Sequence, residues 1–241
     1  MSIRTRHNLL YLLVFGIAMG FLEAIVVVYL RAQYYPDGFS FPMAVISMDI
    51  YAAELVRELC TIVMLLAVAF ICGQNRLQRL SYFFYSFAIW DIFYYVGLKA
   101  FLDWPPSLLT WDILFLIPVP WLGPLLAPLL CSLTMIVFSL IVLHVLDEQA
   151  DFTFRIRDWV LLISGAVVVF ITFIWDYTAI LISNDLIFEF FSLSESQQFR
   201  YIITSYVPVY YNWPLFIFGM ILIYIPIFAI FRRFLISSEV D

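Results

Sequence analysis

Apolar runs too long for a soluble core and too continuous for barrel strands dominate this chain. They cover roughly Asn8–Leu30, Ile50–Cys72, Leu80–Leu102, Pro124–Leu146, Asp158–Ile182 and Trp213–Phe234. Each supplies about the 20 residues a helix needs to cross the hydrocarbon core. A bilayer has no water to satisfy backbone amides, so such a run crosses as an α-helix. A transmembrane barrel is excluded because its strands alternate apolar and polar residues. The sequence therefore predicts an all-α polytopic membrane protein, one transmembrane helical domain over residues 1–241, with about six spans.

Composition closes the other routes. Hydrophobic residues make up 65% of the chain and charged residues 12%, against about 25% charged in soluble domains. The net charge of −6, with Lys99 the sole lysine, excludes a nucleic-acid partner, which requires a basic face. Cys60, Cys72 and Cys131 are far apart in apolar runs and read as small buried hydrophobes, not as a disulfide framework or CxxC site. Arg4, Arg6 and a small-x-small Ala18-Met19-Gly20 resemble a signal peptide, but the apolar stretch continues to Leu30. That is longer than a signal core, so the first run is read as a retained span.

Arginines set the expected orientation. Arg4, Arg6, Arg76, Arg79, Arg155, Arg157, Arg232 and Arg233 fall in alternate connections, while the opposite ones contain only Arg31 and Arg200. Under the positive-inside rule both termini face the cytoplasm, as a multi-pass protein of the plasma (inner) membrane. The segment Asp112–Gly123 does not make a full crossing. Pro118 and Pro120 each lack an amide donor, so no regular helix continues through them. A proline-broken re-entrant or interfacial half-helix on the outer side is expected. If it dips inward, it needs a cavity beside it.

A charge near the centre of a span costs about 2.5–3.5 kcal/mol on insertion scales, so each demands a partner or a purpose. Placed by helical rise, every ionisable residue within the spans except His144 falls at mid-depth or in the outer half. Glu54, Arg57 and Glu58 share one helical face, leaving one acid uncompensated. It must be neutral, metal-bound or paired with a cation from another span. Asp91, Tyr95 and Lys99 follow at intervals of four, with Tyr94 beside them. Tyr95 is placed to bridge, or Asp91 finds its partner on the second span. Gly16, Gly20 and Glu23 share a face on which a neighbouring helix can approach and bury the acid.

These residues form the candidate site. Glu54, Glu58, Asp91 and Lys99 are the candidates for chemistry, and Glu23, Arg31, Arg57, Tyr95, Asp112 and Asp176 for substrate contact. His7 and His144 map to the cytoplasmic side, which excludes a Ser-His-Asp site, a HExxH zinc site and a Glu-x-x-His di-iron pattern at this cluster. Haem is disfavoured for the same reason. No cofactor is specified, although carboxylate oxygens suit a divalent cation such as Mg²⁺. Three function classes remain: binding or processing of a lipid or isoprenoid-type substrate, a scaffold subunit paired with other membrane chains, and a cation-coupled transporter. Membrane lipid is the partner expected first. Whether the chain is an enzyme is left open at this level.

Overall fold

The computed structural model describes residues 1–44, 46–191, 201–202 and 204–238. It is overwhelmingly helical. The long helices are α1 (Ile3–Tyr34), α2 (Met48–Cys72), α3 (Arg76–Leu102), α4 (Leu126–Glu148), α5 (Ile156–Ser183) and α7 (Trp213–Ser238). A short α6 spans Ile187–Phe191, and two strands, β1 (Trp111–Phe115) and β2 (Trp121–Pro124), precede α4. Among the described residues five helices are long and apolar enough to cross a membrane: α1, α2, α4, α5 and residues Trp213–Phe234 of α7. The chain is thus a multi-span helical membrane protein.

The sixth expected run lies within α3, which has the length but not the hydropathy of its neighbours. Its sequence explains this: tyrosines, serines and Asp91 interrupt the aliphatic residues. Burial explains why it is tolerated, because α3 packs against α1, α2 and α4 at once. Ser81, Tyr82, Ser86, Ala88 and Leu98 are all fully enclosed or nearly so.

Ser2 and Asn75 start α1 and α3 by accepting the Thr5 and Gln78 backbone N–H groups, at 3.2 and 2.9 Å. Two glycine seams then set the helix pairing. A Cβ on Gly20 would stand 2.8 Å from the Phe93 Cβ and from the Trp90 carbonyl oxygen, and one on Gly16 would stand 2.8 Å from Ile89. Gly97 of α3 returns the contact against Ala24. The Gly16-x-x-x-Gly20 face is therefore spent within the chain, on α3. Gly165 of α5 and Gly219 of α7 meet each other in the same way, each backbone oxygen occupying the space of the other's missing Cβ.

Polar ties fix the two ends of the bundle. At one end Asn8 donates to the Cys72 carbonyl and to the Tyr82 hydroxyl, at 3.2 and 3.3 Å. Ser2 N–H and the Thr5 hydroxyl donate to Asp147, at 2.8 and 2.9 Å, and Arg233 pairs with the buried Asp158. These join the starts of α1, α3 and α5 to the ends of α2, α4 and α7. The six long helices therefore alternate in direction, and the hairpin sits at the opposite end.

The proline segment is a correction to the expected half-helix, within a fold that is otherwise all-α. It is an antiparallel β-hairpin, pairing Asp112 with Gly123 and Ile113 with Leu122, with an irregularity before Phe115–Trp121. The prolines forbid a helix without dictating what replaces it. Trp, Ile, Leu and Phe suit strands, and Pro118 and Pro120 fall in the connecting turn, where missing amides cost no ladder bond. The Trp121 indole N–H closes that turn by donating to the Ile117 carbonyl at 2.9 Å. Pro128 then lies in the first turn of α4, where amides have no helical acceptor in any case.

Candidate functional site

A cavity of about 270 Å³ opens at the hairpin end, between α1, α2, α3 and the hairpin. Seven of the ten residues singled out from the sequence line it: Glu23, Arg31, Glu54, Arg57, Glu58, Asp91 and Asp112. The other walls are aromatic and aliphatic, including Val27, Tyr34, Phe39, Tyr51, Tyr94, Ile113 and Phe115.

Each charged group has a specific anchorage. Arg57 Nε donates to Glu54 Oε2 at 2.8 Å, and its Nη1 pairs with Glu23 of α1. The guanidinium is thus clasped between an acid of its own helix and one of its neighbour. Glu58 is 6% exposed and accepts the Leu116 backbone N–H through both oxygens, at 3.1 and 2.9 Å. That bond holds the hairpin turn against α2. Arg31 Nη2 donates to Asp112 Oδ1 at 3.2 Å, which ties the end of α1 to β1. The Arg31 guanidinium also lies over Trp104 and Phe39, with its carbon 3.8 and 4.5 Å from the ring centroids. Asp91 accepts from the Ser132 hydroxyl at 2.7 Å.

Three of the ten residues do not line the cavity. Lys99 is half exposed and pairs with Asp103 at 2.7 Å, with its Nζ also reaching the Asp103 and Pro105 carbonyls. Lys99 in turn holds the Asp103 carboxyl below the usual carboxylate range. Asp103 adopts a left-handed backbone, φ 50°, as the C-cap of α3. Lysine at a helix end finds carbonyls and a capping acid nearby, and this draws Lys99 off the stripe of Asp91. Tyr95 does not bridge Asp91 and Lys99. It is buried among Ala24, Leu98, Trp104 and Leu125, and its hydroxyl donates to the Asp112 carboxylate. Asp176 accepts from the Tyr206 hydroxyl at 3.1 Å, away from the cavity. Arg200 lies outside the described residues.

Sequence reasoning did not find Trp104, Phe39, Ser132 or the Leu116 amide. All four contribute through neighbours brought in from distant segments, which no local spacing encodes. Asp91 finds its partner in Ser132 of α4, where the spacing pointed to Tyr95 or to the second span. Among the described residues no group of three His, Cys, Asp or Glu is placed to hold a metal ion. The geometry gives the reason: Glu23 and Glu54 are turned onto Arg57, and Glu58 onto a backbone amide. His144 lies at the other end of the bundle, with Nδ1 3.5 Å from the N-terminal amine.

Fold and cavity together define a class: a multi-span helical membrane protein with a charge-lined cavity at one end of its bundle. Comparison of the chain with protein-family models, with curated proteins and with solved structures found no match.

Proposed function

We infer that this protein binds a lipid or isoprenoid-type amphiphile, head group first, in the cavity at the hairpin end. The observation that carries this reading is the adjacency of two unlike spaces. The cavity with its carboxylates and guanidiniums shares Tyr51 and Phe190 with a second, predominantly apolar groove lined by Leu55, Val56, Leu59, Ile117 and Pro118. Val56 and Leu59 are more than half exposed on a helix apolar enough to span, so the groove faces lipid tails. Apolar pockets with a few convergent polar groups are the usual form of small-molecule sites. This one adjoins an apolar groove on a helix apolar enough to span.

The arginine bias supports six spans, α3 included, with both termini cytoplasmic and the hairpin re-entrant from the outer side of the plasma membrane. Transport is supported less well, because a path needs polar groups through the other half of the bundle. There the Ser81, Ser86 and Ser139 hydroxyls donate to carbonyls of their own helices.

Mass spectrometry of the protein released from nanodiscs tests the reading. The wild type is expected to retain an amphiphile adduct, and Val27→Trp, which fills the cavity, to lose it. Leu22→Trp, on the exposed face of α1, is expected to keep it. An adduct that persists in Val27→Trp, or none in the wild type, rejects the reading.

A further inference from the structure

Tyr51 of α2 and Phe190 of α6 border both the charged cavity and the apolar groove, and a side chain that borders two spaces is part of what divides them. The hairpin supplies the rest of the partition. Phe115 and Leu116 line the cavity, Ile117 and Pro118 line the groove, and Pro120 lines the cavity again. The chain thus crosses the boundary twice within its turn, and the tip between the two crossings stands on the groove side.

This partition is held unevenly. Strand pairing ends at Phe115 and Trp121, so residues 116–120 lie outside the ladder, and Pro118 and Pro120 have no amide to donate. On one side the turn is anchored by Val119, which is buried in one apolar cluster with Phe190 and with Tyr177 and Leu181 of α5. On the other side, among the described residues, its hydrogen bond to a helix is that of the Leu116 N–H to the Glu58 carboxylate. Glu58 follows Tyr51 on α2 by two helical turns, so the bond and the aromatic ring share one face. Tyr51 is only partly buried, which leaves its ring room to change rotamer. Release of the one bond and rotation of the one ring would part the wall at Leu116 while Val119 keeps the turn on α5.

We propose that the hairpin turn and Tyr51 form a side gate, latched by Glu58, through which the head of the amphiphile passes from the bilayer into the cavity while its tail stays in the groove. Entry from the aqueous mouth would draw the tail out of lipid, at a cost that grows with every methylene exposed. Entry from the side keeps the tail in an apolar medium throughout. The gate rests on the amphiphile reading for what passes through it, and on the wall itself for where.

The test uses the full chain in phosphatidylcholine nanodiscs, with Cys60, Cys72 and Cys131 replaced and Val27→Cys placing one thiol in the cavity. The probes are N-dodecylmaleimide, which partitions into the bilayer head outward, and N-hydroxyethylmaleimide, which is added in water. Mass spectrometry reads the rate at which each modifies the thiol. Tyr51→Ala is expected to speed the dodecyl reagent about tenfold by widening the gate. Glu58→Gln exchanges a charge-assisted bond for a neutral one and should speed it about threefold. The aqueous reagent should react at an unchanged rate in both. Tyr34→Ala, which borders the cavity but not the groove, should leave the dodecyl rate as it was. A dodecyl rate unchanged in either gate variant, or raised equally by Tyr34→Ala, overturns the gate. An adduct retained by the wild type would then uphold the amphiphile reading, with entry by the mouth. Acceleration in both variants with no adduct in the wild type would reject the amphiphile and keep the passage. If thermal unfolding shows that Tyr51→Ala does not fold, Tyr51→Leu takes its place and is held to the same outcome.

Discussion

Glu58 and the backbone of Leu116, 58 residues apart, are joined by a carboxylate that takes one N–H with both oxygens, at 3.1 and 2.9 Å. This contact positions the hairpin turn on α2 and so sets the floor of the cavity. Glu58→Ala leaves the Leu116 amide without an acceptor and is expected to cost about 1–3 kcal/mol. Glu58→Gln keeps a carbonyl oxygen and should cost less. Thermal unfolding, with proteolysis of the hairpin as a second readout, separates the two. Equal losses would show that the bond does not hold the hairpin.

Arg57 carries two acids, so its removal strands both. Arg57→Ala is expected to destabilise by about 3–5 kcal/mol. Arg57→Met with Glu54→Gln should recover part of the loss, and adding Glu23→Gln most of it, because the last unpaired charge is then gone. Full recovery in the double variant would mean that Glu23 is not part of the unit. Unfolding midpoints of the four proteins measure this.

The α1–α3 seam has no room for a methyl group. Gly20→Ala is expected to cost about 1–3 kcal/mol by overpacking, whereas Leu22→Ala, more than half exposed on the same helix, should be near neutral. A Gly20→Ala protein of unchanged stability but altered oligomeric state would place the glycines at an interchain face instead.

Asp91 lines the cavity and Lys99 does not, and the pair of variants tests that division. Asp91→Asn should fold and lose the retained amphiphile, and Lys99→Ala should keep it. Loss in Lys99→Ala alone would return Lys99 to the site. If Asp91→Asn instead abolished ion-driven uptake into vesicles, transport would replace amphiphile binding as the function of the cavity.

Orientation is checked by labelling single cysteines in a variant lacking Cys60, Cys72 and Cys131. Ser107→Cys, in the exposed connection before the hairpin, should react with an impermeant reagent from outside the cell, and Gln74→Cys should not. The reverse pattern would invert the topology.

Much of this architecture could be read from the residues in order. Apolar runs located the long helices because length and hydropathy are local quantities, and Pro118 and Pro120 located the break. Convergence of Glu23, Glu54, Arg57 and Glu58 was legible because their depths could be estimated from helical rise. What spacing does not contain is adjacency between segments. Glu23 reaching Arg57, Asp112 reaching Arg31 and Ser132 reaching Asp91 all depend on which helices are neighbours. The glycine seams fix that arrangement, and their partners are not written beside them. Lys99 shows the other limit: a residue in register with a stripe still turns away when a helix end offers nearer acceptors.

The Arg31–Asp112 pair also implies an order of events during synthesis. Its two members are 81 residues apart, and ribosomes add about 5–20 residues per second. Arg31 therefore exists for on the order of 4–16 seconds before its carboxylate is made. During that interval α2 and α3 are synthesised, and the guanidinium can remain at the water interface, as long basic side chains at helix ends do. Docking of the hairpin then pairs Arg31 with Asp112. Tyr177 and Phe190, which also line the cavity, are made later still, so the binding space takes its shape only after the hairpin has docked.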